Sequence, residues 1–110
     1  MIHVGYAPQN ESVNLDSVSG FFVRFTYQGD SWSDYAATVI VVADSESDAI
    51  KIARKYIPDK YENAMHFEID RTQNNNLGGK SGTVPCIKTY LKKYPHSNLS
   101  ILNSKGFIRR

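Results

Sequence analysis

The sequence predicts an α+β domain in which an antiparallel sheet is backed by one main helix. Three patterns indicate this class: a strand-like alternation that begins at Gly20, a β-branched apolar run over residues 35–43, and an amphipathic helical pattern directly after it. A further alternating segment follows the helix. Together these elements form a strand-strand-helix-strand core, followed by a second short helix and a C-terminal basic hairpin or tail.

The first two strands are expected to form a hairpin. In the first strand, apolar and polar side chains alternate, so that one face holds Phe21, Val23, Phe25 and Tyr27 and the other holds Arg24, Thr26 and Gln28. The connector that follows is rich in turn formers and too short for a parallel crossover, so the second strand should run antiparallel to the first. Its almost continuous apolar character is typical of a central strand covered on both faces.

The main helix is predicted to begin after Ser45. Ser45 and Asp48 have capping-box spacing, and Glu46 adds a second acidic group at the positive end of the helix dipole. Arg54 lies towards the negative end, and Pro58 is expected to end the helix. A wide apolar stripe should face the sheet: Ala49, Ile50, Ile52, Ala53, Tyr56 and Ile57.

The remaining elements are predicted from weaker patterns. A third strand should place Met65, Phe67 and Ile69 inward and His66, Glu68 and Asp70 outward. Residues 73–82 are rich in Asn and Gly and are expected to form a flexible loop. A second helix should start at Thr83-Val84-Pro85 and end at Pro95, because Ile87, Tyr90, Leu91 and Tyr94 recur at helical spacing. Residues 99–102 and 107–110 are expected to form a last hairpin.

Length and composition predict a single domain. We divide its 110 residues into an irregular N-terminal segment (1–19), the strand-strand-helix-strand core (20–72), a flexible loop (73–82) and a basic C-terminal extension (83–110). The single cysteine, Cys86, rules out an intramolecular disulfide and a thiolate metal cluster. Because we find no signal peptide and no apolar stretch near the ~20 residues of a membrane span, we expect a cytoplasmic protein. We also expect that it has no cofactor.

Three groups of residues are candidates for a catalytic or ligand-binding site. Gly78-Gly79-Lys80-Ser81 resembles the end of a phosphate-binding loop, but the first glycine of that motif would fall at Asn74. His66, Glu68 and Asp70 share a strand face and could form a metal or acid-base site, although an exposed polar face explains them as well. Cys86 has a basic neighbour but no evident histidine base. We therefore expect no enzyme, while a small enzyme that uses His66 and Glu68 remains an alternative.

The strongest functional signal is an uneven distribution of charge. Residues 1–79 contain 6 Lys/Arg and 11 Asp/Glu, whereas residues 80–110 contain 7 Lys/Arg and no acid. Basic groups neutralise phosphates and aromatic rings stack on unpaired bases, which is the combination that single-strand binding uses. The candidate binding residues are Lys80, Lys88, Lys92, Lys93, Lys105, Arg109 and Arg110, with the aromatic residues Tyr90 and Tyr94. Alternatively, the tyrosines pack on the core and the lysines are solvated.

Trp32 is a further candidate contact residue. It is flanked by serine and aspartate in the connector between the first two strands. An aromatic side chain in a polar loop often anchors a protein partner, but it can equally fold back over a small core. The sequence leaves both interpretations open.

The region from FFVRFTYQ through VIVVADSESDAIKIARKYI to MHFEI resembles small phage- and plasmid-encoded accessory proteins of the host-takeover and anti-defence kind, including anti-CRISPR proteins. In those chains, too, two strands lead through a helix cap into an amphipathic helix and a third strand. The resemblance covers residues 20–70 and implies a class of compact, non-enzymatic proteins that occupy a surface of a larger host machine. It transfers no functional residue.

The sequence therefore leaves two alternative functions. The first is a non-enzymatic inhibitor or adaptor, plausible as a phage protein, that binds a host protein or nucleoprotein complex through the exposed sheet face, the Trp32 loop and the basic segment. The second is a module that binds nucleic acid directly through the basic C-terminal segment. A membrane partner is not expected, and pairing of an edge strand with a second copy of the chain is left open.

Overall fold

A computed structural model describes residues 18–29, 33–72 and 77–108. These residues contain six strands and two helices. In chain order the elements are β1 (Gly20–Gln28), β2 (Asp34–Val41), α1 (Glu46–Lys60), β3 (Ala64–Ile69), β4 (Thr83–Val84), α2 (Ile87–Lys93), β5 (Ile101–Asn103) and β6 (Gly106–Ile108). The predicted α+β class is confirmed. Neither helix of the described part is long and apolar enough to cross a membrane.

The sheet has the strand order β3-β1-β2-β5-β6, and the short β4 pairs with the first residues of β1. The predicted hairpin is present, since β1 and β2 run antiparallel with Tyr27 opposite Tyr35. β5 joins β2 in the parallel direction, with Ile40 opposite Ile101. The expectation of a purely antiparallel sheet is therefore wrong, because the chain passes over one face of the sheet through α2 and re-enters beside β2 in the same direction.

Hydrophobic cores lie on both faces of the sheet. On one face, Val23 and Phe25 of β1 pack with the buried side of α1. On the other face, Phe22 packs with Ile87 of α2 and Ile101 of β5. The sequence alternation gave β1 one apolar face, but Phe22 is completely buried as well. The prediction that β2 is covered on both faces holds only for the second half of the strand, where Val39, Ile40 and Val41 are all buried.

The start of α1 follows the predicted capping pattern. Ser45 is the N-cap, and its side chain accepts a hydrogen bond from the Asp48 backbone N–H at 3.2 Å. The prediction that Pro58 ends the helix is wrong, since α1 continues to Lys60 and is capped at Tyr61. Proline removes the hydrogen bond to the carbonyl four residues earlier. Both Arg54 and Pro58 are exposed, so water can hydrate that carbonyl while the next turn stays helical.

The predicted exposure of the β3 side chains is wrong at the two ends of the strand. Met65 was expected inside but is 55% exposed, because the pairing with β1 shifts between Thr26 and Tyr27. Asp70 was expected outside but is 5% exposed. The Asp70 carboxylate accepts hydrogen bonds from the Thr72 N–H at 3.0 Å and the Thr72 hydroxyl at 2.6 Å. The buried carboxylate is thus satisfied locally and stabilises the turn that ends β3.

The region before α2 also differs from its predicted structure. Thr83 and Val84 form β4 and not the first turn of a helix, because they pair with Phe21 and Gly20 of β1. The Phe22 N–H then donates to the Gly82 carbonyl at 2.7 Å. Of the loop predicted over 73–82, residues 73–76 lie outside the described part. The remaining residues lead into the sheet, and α2 starts only at Ile87.

The C-terminal hairpin is present as β5 and β6, joined by a turn at Ser104 and Lys105. Its turn is attached to the α1 side of the sheet, because the Tyr56 hydroxyl donates to the Ser104 carbonyl at 2.9 Å. Nearby, the Lys60 ammonium donates to the Ser100 hydroxyl at 2.9 Å. Residues 83–108 therefore belong to the folded domain. In this segment β4, β5 and β6 join the sheet, and α2 packs on it.

We predict that Ile87→Ala destabilises the whole domain. Ile87 is completely buried between α2 and the sheet, and truncation of such a side chain typically costs about 2–5 kcal/mol of unfolding free energy. The measurement is chemical denaturation followed by circular dichroism. Leu91→Ala, at a half-buried position of the same helix, is the matched control and should cost less. Equal, negligible costs for both variants would contradict the packing of α2.

Candidate functional site

A basic helix surface forms on α2. Ile87 and Tyr90 are the buried residues of this helix, and Lys88, Lys92 and Lys93 are all exposed. The chain contains no aspartate or glutamate between residues 80 and 110. The apolar positions thus attach α2 to the sheet and leave its lysines in solvent, as the helical spacing predicted. We call Lys88, Lys92 and Lys93 the basic helix surface.

A shallow cleft of about 410 Å³ lies at the C-terminal end of α2. Its position follows from the chain path, because α2 ends at Lys93, is capped at Tyr94 and is followed by Pro95, which cannot continue the helix. The cleft is lined by Tyr90, Lys93, Tyr94, Pro95, His96 and Ser97. Three residues from the sequence-predicted set, Tyr90, Lys93 and Tyr94, therefore meet in one place.

The two tyrosines of this cleft have different environments. Tyr90 is 9% exposed and meets the Phe22 ring edge-on at a centroid distance of 5.4 Å. Burial, and to a lesser degree the neighbouring Tyr94, raises the pKa of the Tyr90 hydroxyl. Tyr94 is only half-buried, but the Lys93 ammonium lies over its ring at 5.8 Å. Tyr90 is thus part of the core, and Tyr94 is the more accessible ring for stacking on a ligand.

The remaining predicted site residues are dispersed. Lys80 lies in the turn before β4, where its carbonyl accepts from the Thr83 N–H at 2.8 Å. Lys105 lies in the β5–β6 turn, next to the carbonyl that the α1 side chain Tyr56 contacts. Both lysines are exposed but belong to other elements than α2. Trp32, Arg109 and Arg110 lie outside the described residues.

A second surface, which we call the aromatic end, forms where β1 meets β2. Its three rings belong to Tyr27, Tyr35 and Tyr61, and the Tyr27 ring lies 5.6 Å from that of Tyr35 and 5.7 Å from that of Tyr61. Tyr35 is 49% exposed. The Tyr35 ring also covers Gly29, where an added Cβ would come within 1.8 Å of it. Glycine at this position is therefore required for the approach of the ring.

Sequence reasoning missed the aromatic end. The apolar run over residues 35–43 predicted a strand covered along its whole length, whereas burial begins only in its second half. The available signal was the polar pair Ser33 and Asp34 directly before Tyr35. Those residues mark the beginning of β2 as the exposed end of the strand.

The sheet face beneath α2 is open beyond the helix. A helix of seven residues spans about 10 Å, whereas nine strand residues span about 30 Å, so α2 covers only part of β1. Opposed pairs of β1 and β3 continue past it, namely Arg24 with Glu68 and Thr26 with His66. This open sheet face is polar and includes Arg24, Thr26, Gln28, Thr38, His66 and Glu68.

Of the candidate catalytic groups, the fold brings only His66 and Glu68 together. His66 Nε2 lies 3.8 Å from a Glu68 carboxylate oxygen, and both side chains are more than half exposed. Asp70, the third member of that set, is buried away from them. Cys86 Sγ lies 3.0 Å from the Thr89 hydroxyl. Within residues 18–29, 33–72 and 77–108, no three His, Cys, Asp or Glu side chains are placed to hold a metal ion.

A larger open cleft, about 700 Å³, lies where β2 leads into α1. Its lining mixes the acidic Asp44 and Asp48 with Lys51 and with apolar side chains such as Val42 and Ile52. This mixture favours no single class of ligand. We therefore take the basic helix surface and the aromatic end as the candidate functional surfaces.

Comparison of the chain with protein-family models, with curated proteins and with solved structures finds no match.

We predict that Tyr90 makes the domain less stable at alkaline pH. Its pKa is raised above 10 in the folded state, so above that pH the unfolded chain loses this proton before the folded chain does. Stability that Tyr90 maintains at pH 10 and below is therefore lost as the pH rises towards the folded pKa. Denaturation at pH 8 and 11 should show a smaller loss for Tyr90→Phe than for wild type. An identical loss in both proteins would contradict the burial of this hydroxyl.

Proposed function

We propose that this protein is a non-catalytic binding protein that acts on a larger protein partner, as an inhibitor or adaptor. The observation that carries the proposal is the aromatic end, where Tyr35 is half exposed against the Tyr27 ring, which in turn contacts the Tyr61 ring. The resemblance of residues 20–70 to phage-encoded accessory proteins implies the same class of function. The partner would be a host protein or nucleoprotein complex in the cytoplasm.

The aromatic end has the features of an interface anchor. Tyrosine is enriched among the residues that contribute most to protein interfaces, because a rigid ring covers a large area at low entropic cost. The contact between Tyr27 and Tyr35 restricts both rings before any partner arrives. Directly before β2, the Gly29 N–H donates to the Ser33 carbonyl and fixes the backbone next to Tyr35.

The open sheet face would extend this contact with polar groups. It lies at the same end of β1 as Tyr27, on the opposite face of the sheet. Interfaces commonly surround an aromatic centre with a polar rim, and Arg24, Gln28 and Glu68 are exposed side chains of that kind. A partner that clasps the end of the hairpin would therefore contact both surfaces.

A second candidate function is direct nucleic-acid binding by the basic helix surface. Three exposed lysines on one short helix, with no acidic residue in the segment, favour contacts to phosphates. The α2 cleft contributes the ring of Tyr94 and the exposed His96. The burial of Tyr90 weakens this candidate, since one of its two proposed stacking rings is committed to the core.

The protein-binding proposal predicts that Tyr35→Ala loses a partner that wild type retains. Removal of a half-exposed ring should leave the fold intact while it eliminates the anchor. The measurement is affinity capture from cells of the source organism after nuclease treatment, at moderate salt, with quantification by mass spectrometry. Lys92→Glu/Lys93→Glu is the control and should retain the partner. Equal capture by the Tyr35 variant and wild type would rule out the aromatic end.

The nucleic-acid candidate predicts a steep salt dependence that depends on α2. Counterion release makes the logarithm of the affinity fall by roughly 0.7 per neutralised phosphate on single strands for each tenfold rise in salt. A gel-shift titration with a single-stranded oligonucleotide measures this slope. Lys92→Glu/Lys93→Glu and Tyr94→Ala should abolish the shift, whereas Tyr35→Ala should not. A flat salt response, or no shift for wild type, would exclude this function.

A further inference from the structure

The outer edge of β3 is a further surface at which the sheet could bind a partner. β3 is the terminal strand in the order β3-β1-β2-β5-β6. On its open side the described residues place no further strand beside it. An edge of this kind presents unpaired backbone N–H and C=O groups that can pair with another chain. Met65 in this strand is also one of two large apolar side chains exposed in the described part.

Strand geometry identifies the residues whose backbone groups face outward. The Asp70 N–H donates to the Phe22 carbonyl at 2.8 Å, so Asp70 directs its backbone towards β1. Backbone groups alternate in direction along a strand. His66 and Glu68 therefore also face β1, which matches their positions opposite Thr26 and Arg24. The N–H and C=O groups of Phe67 and Ile69 are left for the open edge, whereas Met65 lies where the pairing with β1 shifts.

We propose that a second copy of this chain pairs with the β3 edge in an antiparallel, two-fold arrangement centred on Phe67. In this register Phe67 lies opposite Phe67 of the other copy, and Met65 lies opposite Ile69 of the other copy. The pair of Phe67 with Phe67 is a hydrogen-bonded one, because the backbone groups of this residue face outward. The two sheets become continuous, and the exposed Met65 gains an apolar neighbour.

The complementarity of imidazole and carboxylate side chains selects this register. A two-fold axis at Phe67 places His66 opposite Glu68 of the other copy, and Glu68 opposite His66. Within one copy these two side chains already lie 3.8 Å apart and are more than half exposed. The association therefore creates an alternating square of basic and acidic groups, next to Arg24 in each copy. A two-fold axis centred on either neighbouring residue would instead place His66 or Glu68 opposite itself.

One group opposes the association. Arg54 of α1 lies over the Phe67 ring at 5.9 Å, so the two copies of Arg54 approach the same axis. The pairing strand also has only six residues, which makes a small interface. We therefore expect a dimer that dissociates on dilution.

Cysteine cross-linking tests the register. Two variants, His66→Cys and Glu68→Cys, are made in a Cys86→Ser background and mixed under mild oxidation. Across the axis their Cα atoms would lie about 4.5 Å apart, close enough for a disulfide. Two copies of either variant alone would place the cysteines about 8 Å apart, by strand rise and spacing, which is too far. The mixture should cross-link several-fold faster than either variant alone.

Sedimentation of the full chain over a wide concentration range gives an independent measurement. Wild type should pass from monomer to dimer, and Glu68→Lys should weaken the dimer several-fold by placing a cation opposite His66. Asp59→Lys makes the same charge change at an exposed position of α1 and should leave association unchanged. A wild-type monomer at every concentration, or equal cross-linking in the mixture and in the single variants, would overturn the proposal.

Discussion

Burial of β1 on both faces is the constraint on which the rest of the structure depends. Phe22 faces the α2 core, whereas Val23 and Phe25 face the α1 core, and all three are completely buried. A strand of this kind needs a covering layer on each side. The first layer is α1, and the second consists of residues from the acid-free C-terminal segment. The segment with the most positive charge is therefore also a structural layer of the domain.

This arrangement explains which surfaces remain for binding. The apolar positions of α2 are used against the sheet, so its lysines necessarily face water. Because α2 is short, it leaves the far part of β1 and β3 uncovered as a polar face. At the same end of β1, but on the α1 face, Tyr27 contacts Tyr35 and Tyr61, and Tyr61 caps the C-terminal end of α1. The open sheet face is thus a consequence of a second layer that is smaller than the sheet it covers.

The sequence predicted the parts of the fold that depend on local patterns. The alternation of β1, the N-cap at Ser45 and the apolar stripe of α1 are all present, because each depends on residues close in sequence. The failures depend on distant contacts. Thr83 and Val84 resemble a helix start until β1 is available to pair with them. Met65 is exposed and Asp70 is buried, contrary to prediction, because of a shift in pairing and a local turn that alternation alone does not reveal.

The candidate site was predictable in composition but not in arrangement. The lysines and tyrosines of α2 were identified by charge and spacing, and their helix is present. Which tyrosine is buried depends on the position of Phe22, an apolar residue on a face that otherwise reads as polar. The aromatic end was hidden inside an apolar run. Its exposure follows from the position of Tyr35 at the beginning of β2, before the buried part of that strand.

Hydrogen exchange tests the central claim, that the acid-free segment is a cooperative layer of the domain. The Tyr90 and Tyr94 N–H groups donate to the carbonyls four residues earlier, at the two ends of α2. The Ile40 N–H donates to the carbonyl of Ser100, directly before β5, and the Val42 N–H donates to the carbonyl of Leu102 in β5. The account predicts that amides of α2 and of the β2–β5 pairing exchange as slowly as those shared by β1 and β2. Fast exchange of these amides, with protection confined to β1, β2, α1 and β3, would contradict it.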